Sequence, residues 1–127
     1  MTGRVVHFEI PFDDGERARA FYAEAFGWDV AAVPGMDYSM VSTGPSTETG
    51  PNEPGYVNGG MAQRGDPLTG PTVVIDVEDI EESLAKVEEL GGVTLLRSTP
   101  VGEMGFSGYF RDTEGNVVGL WQSRSSD

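Results

Sequence analysis

His7 is the single histidine in a chain of 127 residues, and Glu9 stands two positions beyond it in "VVHFEI". Side chains alternate along an extended strand, so an imidazole and a carboxylate two residues apart project from one face. Such a pair suits proton transfer, hydrogen bonding to a ligand, or metal coordination. Other reactive groups are scarce. The chain has no cysteine, which removes disulfides, thiolate metal sites and a cysteine nucleophile. No G-x-S-x-G element occurs, and a serine, histidine and acid triad would have to use His7 without an indicated nucleophile. The glycine-rich stretches "NGG" and "GEMG" do not lead from a strand into a helix with phosphate-binding spacing. With 21 Asp plus Glu, any two carboxylates can be paired on paper, so carboxylate pairs carry no signal. His7 keeps three readings: a satisfied histidine on a partly buried strand, a pocket hydrogen-bonder or proton carrier, and a metal ligand.

The elements that must position these residues repeat. "VVHFEIPFDDGERARAFYAEAFGW" from Val5 to Trp28 is echoed by "GPTVVIDVEDIEESLAKVEELGG" from Gly70 to Gly92, with Asp79 lying 65 residues after Asp14. That offset sets Thr72 against His7, Val73 against Phe8 and Ile75 against Ile10. Each half is a strand followed by a helix. Asp13 and Asp79 stand three residues before Glu16 and Glu82, the spacing of a capping box. Ala18, Phe21, Tyr22, Ala25 and Phe26 make one apolar face of the first helix, and Ile80, Leu84, Val87 and Leu90 make that of the second. Short apolar segments follow: "WDVAAV", "YSMVS" and "YVNGGMAQR", then "VTLLRS", "FSGYFRD" and "NVVGLWQ", with "DTEGN" as the turn into the last. Residues 43 to 55, "TGPSTETGPNEPG", contain three prolines and no apolar anchor, and read as a mobile solvated loop.

Composition sets the surroundings. One domain over residues 1–127 is expected at this length. No apolar run approaches the roughly 20 residues that cross a bilayer, and no signal-peptide pattern precedes the first strand, so the expected setting is cytoplasmic without a membrane partner. The formal net charge is −13 and Lys86 is the single lysine. Such a surface repels nucleic acid and anionic lipid. Self-repulsion of that size is relieved by concentrated salt, which points to a salt-loving source.

The order strand, helix, three strands, given twice, together with "HFEIPFDDGERARAFYAEAFGW" and "YFRDTEGNVVGLWQ", resembles the vicinal oxygen chelate superfamily, which comprises glyoxalase, bleomycin-resistance and extradiol-dioxygenase proteins. The resemblance spans essentially the whole chain. It implies an α+β fold in which two βαβββ modules, about residues 4–64 and 70–123, form a cup-shaped mixed sheet with helices outside and a ligand cavity inside. Homodimers are common in that superfamily.

The resemblance also implies a divalent metal held by residues on the first and last strands of the modules, usually two histidines and a glutamate. His7 takes the first position. Thr72, a poor ligand, takes the second, and Gly119, which offers none, takes the place of the glutamate. The corresponding strand of the first module offers Gly60, Met61 and Gln63. No metal or other cofactor is therefore expected; if a divalent metal binds, His7 and Glu9 would hold it. The cavity wall is expected to comprise His7, Glu9 and Met61 from the first module, with Thr72, Val74, Val117, Gly119 and Trp121 from the second, and Asp76 toward the same side. Gly119 then leaves volume for a ligand. Trp28, Tyr38, Tyr109 and Trp121 read as core or dimer filling rather than substrate platforms, and Met36, Met40, Met61 and Met104 as cavity lining or gap filler. The leading reading is a metal-independent protein that binds a small organic molecule. Against it stand a lyase, dioxygenase or epimerase with an atypical site at His7 and Glu9, and an interaction module with no small ligand.

Overall fold

The computed structural model describes residues 3–35, 38–47 and 50–124. Among these the chain forms ten strands and two helices, an α+β arrangement. It divides into two compact units, residues 7–71 and residues 1–6 with 72–127. The first contains most of β1 (Val5–Phe12), then α1 (Gly15–Phe26), β2 (Asp29–Ala32), β3 (Tyr38–Ser42), the short hairpin β4 (Ser46–Thr47) and β5 (Gly50–Pro51), and β6 (Asn58–Gln63). The second contains β7 (Thr72–Asp76), α2 (Ile80–Glu89), β8 (Val93–Val101), β9 (Gly105–Arg111) and β10 (Val117–Ser123). Strand order is β2-β3-β6-β1 in the first unit and β7-β10-β9-β8 in the second. In both, the first strand runs parallel to the closing strand and the remaining neighbours are antiparallel. No helix among the described residues is long and apolar enough to cross a membrane.

Helix α1 starts one residue later than the capping-box spacing predicts. Asp14, not Asp13, is the N-cap, its carboxylate accepting from the Arg17 amide at 3.0 Å. Asp13 instead pairs with Arg64 at 3.0 Å. In α2 Asp79 caps as predicted, accepting from the Glu82 amide at 3.1 Å. Gly27, with φ of 74°, ends α1 in the left-handed conformation that only glycine adopts without strain.

The core of the first unit is Phe12, Val41 and Met61, with Phe8, Ile10, Ala18, Tyr22, Trp28 and Val30 packed on it. The Tyr22 and Trp28 rings stack with centroids 4.8 Å apart. The apolar stripe read for α1 is only half used: Ala18 and Tyr22 face this core, whereas Phe21 is 59% and Phe26 63% exposed. Ser39, fully buried, receives a hydrogen bond from Arg19 Nη1 at 3.2 Å, so α1 is tied to β3 by a polar contact as well. The second unit packs Ile80 and Leu84 of α2 on Leu120, joined by Ile75, Val77, Phe106 and Phe110. Leu90 lies outside that core, 67% exposed beside the end of α2.

Of residues 43 to 55, 48 and 49 lie outside the described residues; the rest differ from the unanchored loop that their composition predicts. The β4–β5 hairpin is tied back to β6, where the Asn58 side chain accepts from the Thr43 amide at 3.0 Å and donates to Ser46 Oγ at 2.9 Å. The Tyr56 hydroxyl donates to the Pro45 carbonyl. Polar side chains supply the anchor that apolar ones do not.

Met61, fully buried between β6 and α1, is the residue on which the first core turns. Met61→Ala is expected to lower unfolding free energy by about 2–5 kcal/mol, and Phe21→Ser to change it by less than about 0.5 kcal/mol. Urea titration followed by circular dichroism measures both.

Candidate functional site

The register of the first unit sorts its side chains. Against β6, His7 lies opposite Asn58, Phe8 opposite Gly59, Glu9 opposite Gly60 and Ile10 opposite Met61. Against β3, Gly60 lies opposite Met40 and Gly59 opposite Val41. Residues directly opposed in a sheet share a face. His7, Glu9, Asn58, Gly60, Tyr38 and Met40 therefore occupy the face turned away from α1, and Phe8, Ile10, Val41 and Met61 the face beneath it. Met61 does not join His7 and Glu9: it is odd by one in the register and belongs to the helix-side core.

On the helix-free face His7 Nε2 and the Tyr38 hydroxyl are 3.1 Å apart. Both residues are half-buried. Burial holds the imidazole below its ordinary value of 6.5. Burial, and after it the Glu9 charge, push the Tyr38 hydroxyl well above its ordinary value of 10. Near neutral pH the contact therefore joins an uncharged imidazole to a protonated phenol. The phenol donates when Nδ1 carries the ring hydrogen, and Nε2 donates when it does not. Tyr38 is thus the partner of His7 rather than core filling, a contact that spans 31 residues of sequence.

In the second unit Gly119 lies opposite Val74 and Trp121 opposite Asp76, while across β9 Gly119 faces Tyr109 and Trp121 faces Ser107. Thr72, Val74, Asp76, Val117, Gly119 and Trp121 accordingly share the face turned away from α2. Thr72 and Val74 are buried there, and Trp121 Nε1 donates to Ser123 Oγ at 3.2 Å. A Cβ built on Gly119 would lie 3.1 Å from Val74 Cγ2 and 3.2 Å from Tyr109 Cε1, so side chains of the protein crowd the position that the sequence leaves open for a ligand.

The donor set does not fit the divalent ion implied by the resemblance. His7 Nε2 is engaged by Tyr38, Thr72 offers one hydroxyl, Gly119 offers nothing, and zinc and iron sites take three protein ligands. Among the described residues no three His, Asp or Glu side chains gather at metal-holding distance. Of the methionines, Met40 is 49% exposed on the helix-free face and Met104 is 67% exposed, while Met36 lies outside the described residues. A hollow of about 330 Å³ lies elsewhere, at the start of α2, lined by Val77, Glu78, Asp79, Glu82, Ser83 and Lys86 with Gly3. It includes none of the residues predicted for the cavity wall.

Residues 4–44 match the family described as bleomycin resistance protein-like N-terminal. A glyoxylase-like domain-containing protein of Didymella fabae is 29% identical over 120 residues, which is 92% of this chain and 91% of that protein. Putative glyoxylase CFP32 of Mycobacterium bovis is 31% identical over 121 residues, 91% of this chain but 44% of that protein, so the chain spans less than half of that relative. Among solved structures, a glyoxalase/bleomycin resistance protein/dioxygenase superfamily member from Vibrio splendidus superposes with a TM-score of 0.61 at 20% identity, covering 98% of this chain and 100% of that one. A variant of Streptomyces coelicolor methylmalonyl-CoA epimerase, in complex with 2-nitronate-propionyl-CoA, superposes with a TM-score of 0.65 at 16% identity, covering 98% and 97%. Residues 4–44 thus carry a bleomycin resistance protein-like pattern, the chain is similar to glyoxylase-like proteins over most of its length, and its fold is that of solved glyoxalase/bleomycin resistance protein/dioxygenase superfamily structures.

Two measurements bear on this geometry. Because the folded imidazole titrates below the unfolded value of 6.5, the unfolded chain binds more protons between the two, and stability contributed by His7 is complete above that pH and lost as pH falls through the window. NMR titration of the lone imidazole is expected to give a midpoint below 6.5, and His7→Asn to flatten the acid-side loss of stability, read at high salt so that carboxylates are screened. Gly119→Ala is expected to cost about 1–3 kcal/mol by overpacking against Val74 and Tyr109, whereas an empty site would accept the methyl group or gain from it. Thermal denaturation separates the two cases.

Proposed function

We propose that this chain is a small-molecule-binding member of the superfamily, acting without a resident metal, with the His7–Tyr38 pair as the polar fixture of its ligand site. The observation that carries the reading is the 3.1 Å contact between His7 Nε2 and the Tyr38 hydroxyl. It engages the one imidazole in the chain, while Thr72 and Gly119 stand where further metal donors would be needed. A site with apolar walls and few placed polar groups is how small organic ligands are usually held. Met40 and Tyr38 beside His7 and Glu9 provide that mixture in the first unit. In this reading the protein works as a cytoplasmic homodimer, and its acidic surface repels nucleic acid and membranes.

One observation favours a competing reading: His7 and Glu9 share a face, the arrangement that a reduced metal site completed by a second copy would use. The epimerase name of the Streptomyces structure adds nothing here, because a likeness at 16% identity is one of fold.

Protein purified without chelator or histidine tag, in molar KCl, tests the proposal. Metal content by mass spectrometry is expected to be far below stoichiometric. In a thermal-shift screen of aromatic and oxoacid compounds at least one is expected to raise Tm, by the equivalent of about 2.7 kcal/mol at a hundredfold excess over Kd, with the shift lost in Tyr38→Phe. Stoichiometric Mn, Fe, Ni or Zn that disappears in His7→Ala would establish the metal site instead. A screen with no stabilising compound would favour an interaction module.

A further inference from the structure

The closing strands carry a correspondence that the sequence does not display. Gly60 on β6 lies opposite Glu9 on β1, and Gly119 on β10 lies opposite Val74 on β7. Glu9 and Val74 are 65 residues apart, the offset that relates the two repeats. The two glycines therefore hold the same place in their units. Gly60 follows Glu9 by 51 residues and Gly119 follows Val74 by 45, so counting along the chain does not align them.

Each glycine lies under a tyrosine from the adjacent antiparallel strand. A Cβ on Gly60 would overlap the hydroxyl and Cζ of Tyr38 from β3, and a Cβ on Gly119 would press on the ring of Tyr109 from β9. In the first unit this seat has a chemical result. The Tyr38 ring, lying over a residue without a side chain, carries its hydroxyl across β6 to His7 Nε2 on the far neighbour. Met40, directly opposite Gly60, stands on the same face.

We propose that Gly60 is a positioning residue, whose missing side chain seats Tyr38 so that phenol and imidazole form one hydrogen-bonding unit presented to the ligand. The proposal rests on the small-molecule reading and deepens it by naming the ligand chemistry. Among the described strand residues that share this face, Glu9 and Asp29 carry the formal charges and both are negative, a field that disfavours an anionic group. The chemistry that fits is an uncharged oxygen or nitrogen group that hydrogen-bonds to the phenol–imidazole pair. In the second unit Tyr109 stands directly opposite Gly119, the place that Met40 holds opposite Gly60, so the diagonal reach of Tyr38 belongs to the first unit.

A ligand-free double-mutant cycle tests the seat, so its failure is distinct from that of the ligand screen. Gly60→Ala is expected to lower Tm by about 5 °C in the natural chain but to be nearly neutral in a Tyr38→Leu background, where the ring is gone. The imidazole resonances of His7, the lone histidine, are expected to move in Gly60→Ala to the positions they take in Tyr38→Phe. Equal loss of Tm in both backgrounds, or His7 resonances unmoved by either substitution, overturns the proposal. If Gly60→Ala fails to fold alone, recovery of folding in the double variant supports the seat and continued failure overturns it.

Discussion

Parallel pairing of the first strand with the closing strand, β1 on β6 and β7 on β10, decides which side of each unit every side chain takes. Because strand side chains alternate with a period of two, a slip of one residue would move Phe8, Ile10 and Met61 out of the helix-side core and His7 and Glu9 into it. Burial of Met61 and Val41 on one side and of Leu120 against Ile80 on the other penalises that slip heavily. The polar face is thus specified by the apolar one. His7 meets Tyr38 because the core fixes the register, and the contact needs no local sequence signal.

The pair is kept uncharged by its surroundings. Half-burial disfavours the imidazolium and the phenolate alike, and the Glu9 carboxylate adds to the second effect. The two groups are thereby held as neutral donor and acceptor. That condition suits recognition by hydrogen bonding better than it suits metal binding, where the imidazole must give its lone pair to the ion.

Much of the architecture is legible in the sequence because it rests on periodicity and local caps. Both helices, the Asp79 cap and the strands after each helix follow from patterns within about a dozen residues, and the twofold repeat from recurrence of those patterns 65 residues on. What escapes depends on register or on competition between neighbours. Met61 looks like a cavity residue until β6 is set against β1; Gly119 looks like a vacancy until Tyr109 is placed over it; Tyr38 looks like filler until it is brought to His7 across 31 residues. Asp13 and Asp14 both satisfy the rule for a helix start, and Arg64, fifty-one residues on, draws Asp13 away. Phe21 and Phe26 fit the helical stripe of α1, yet the short sheet beneath is covered by Ala18 and Tyr22 alone. In residues 43 to 55 the anchors are polar, so a search for apolar ones finds nothing.

The Asn58 amide has a double attachment. Its backbone lies opposite His7, while its side chain holds Thr43 and Ser46 at the root of the β4–β5 hairpin. The base of that hairpin is consequently bolted to the strand that flanks the imidazole. A change at its root, at Thr43 or Ser46, therefore bears on the strand neighbour of the one histidine.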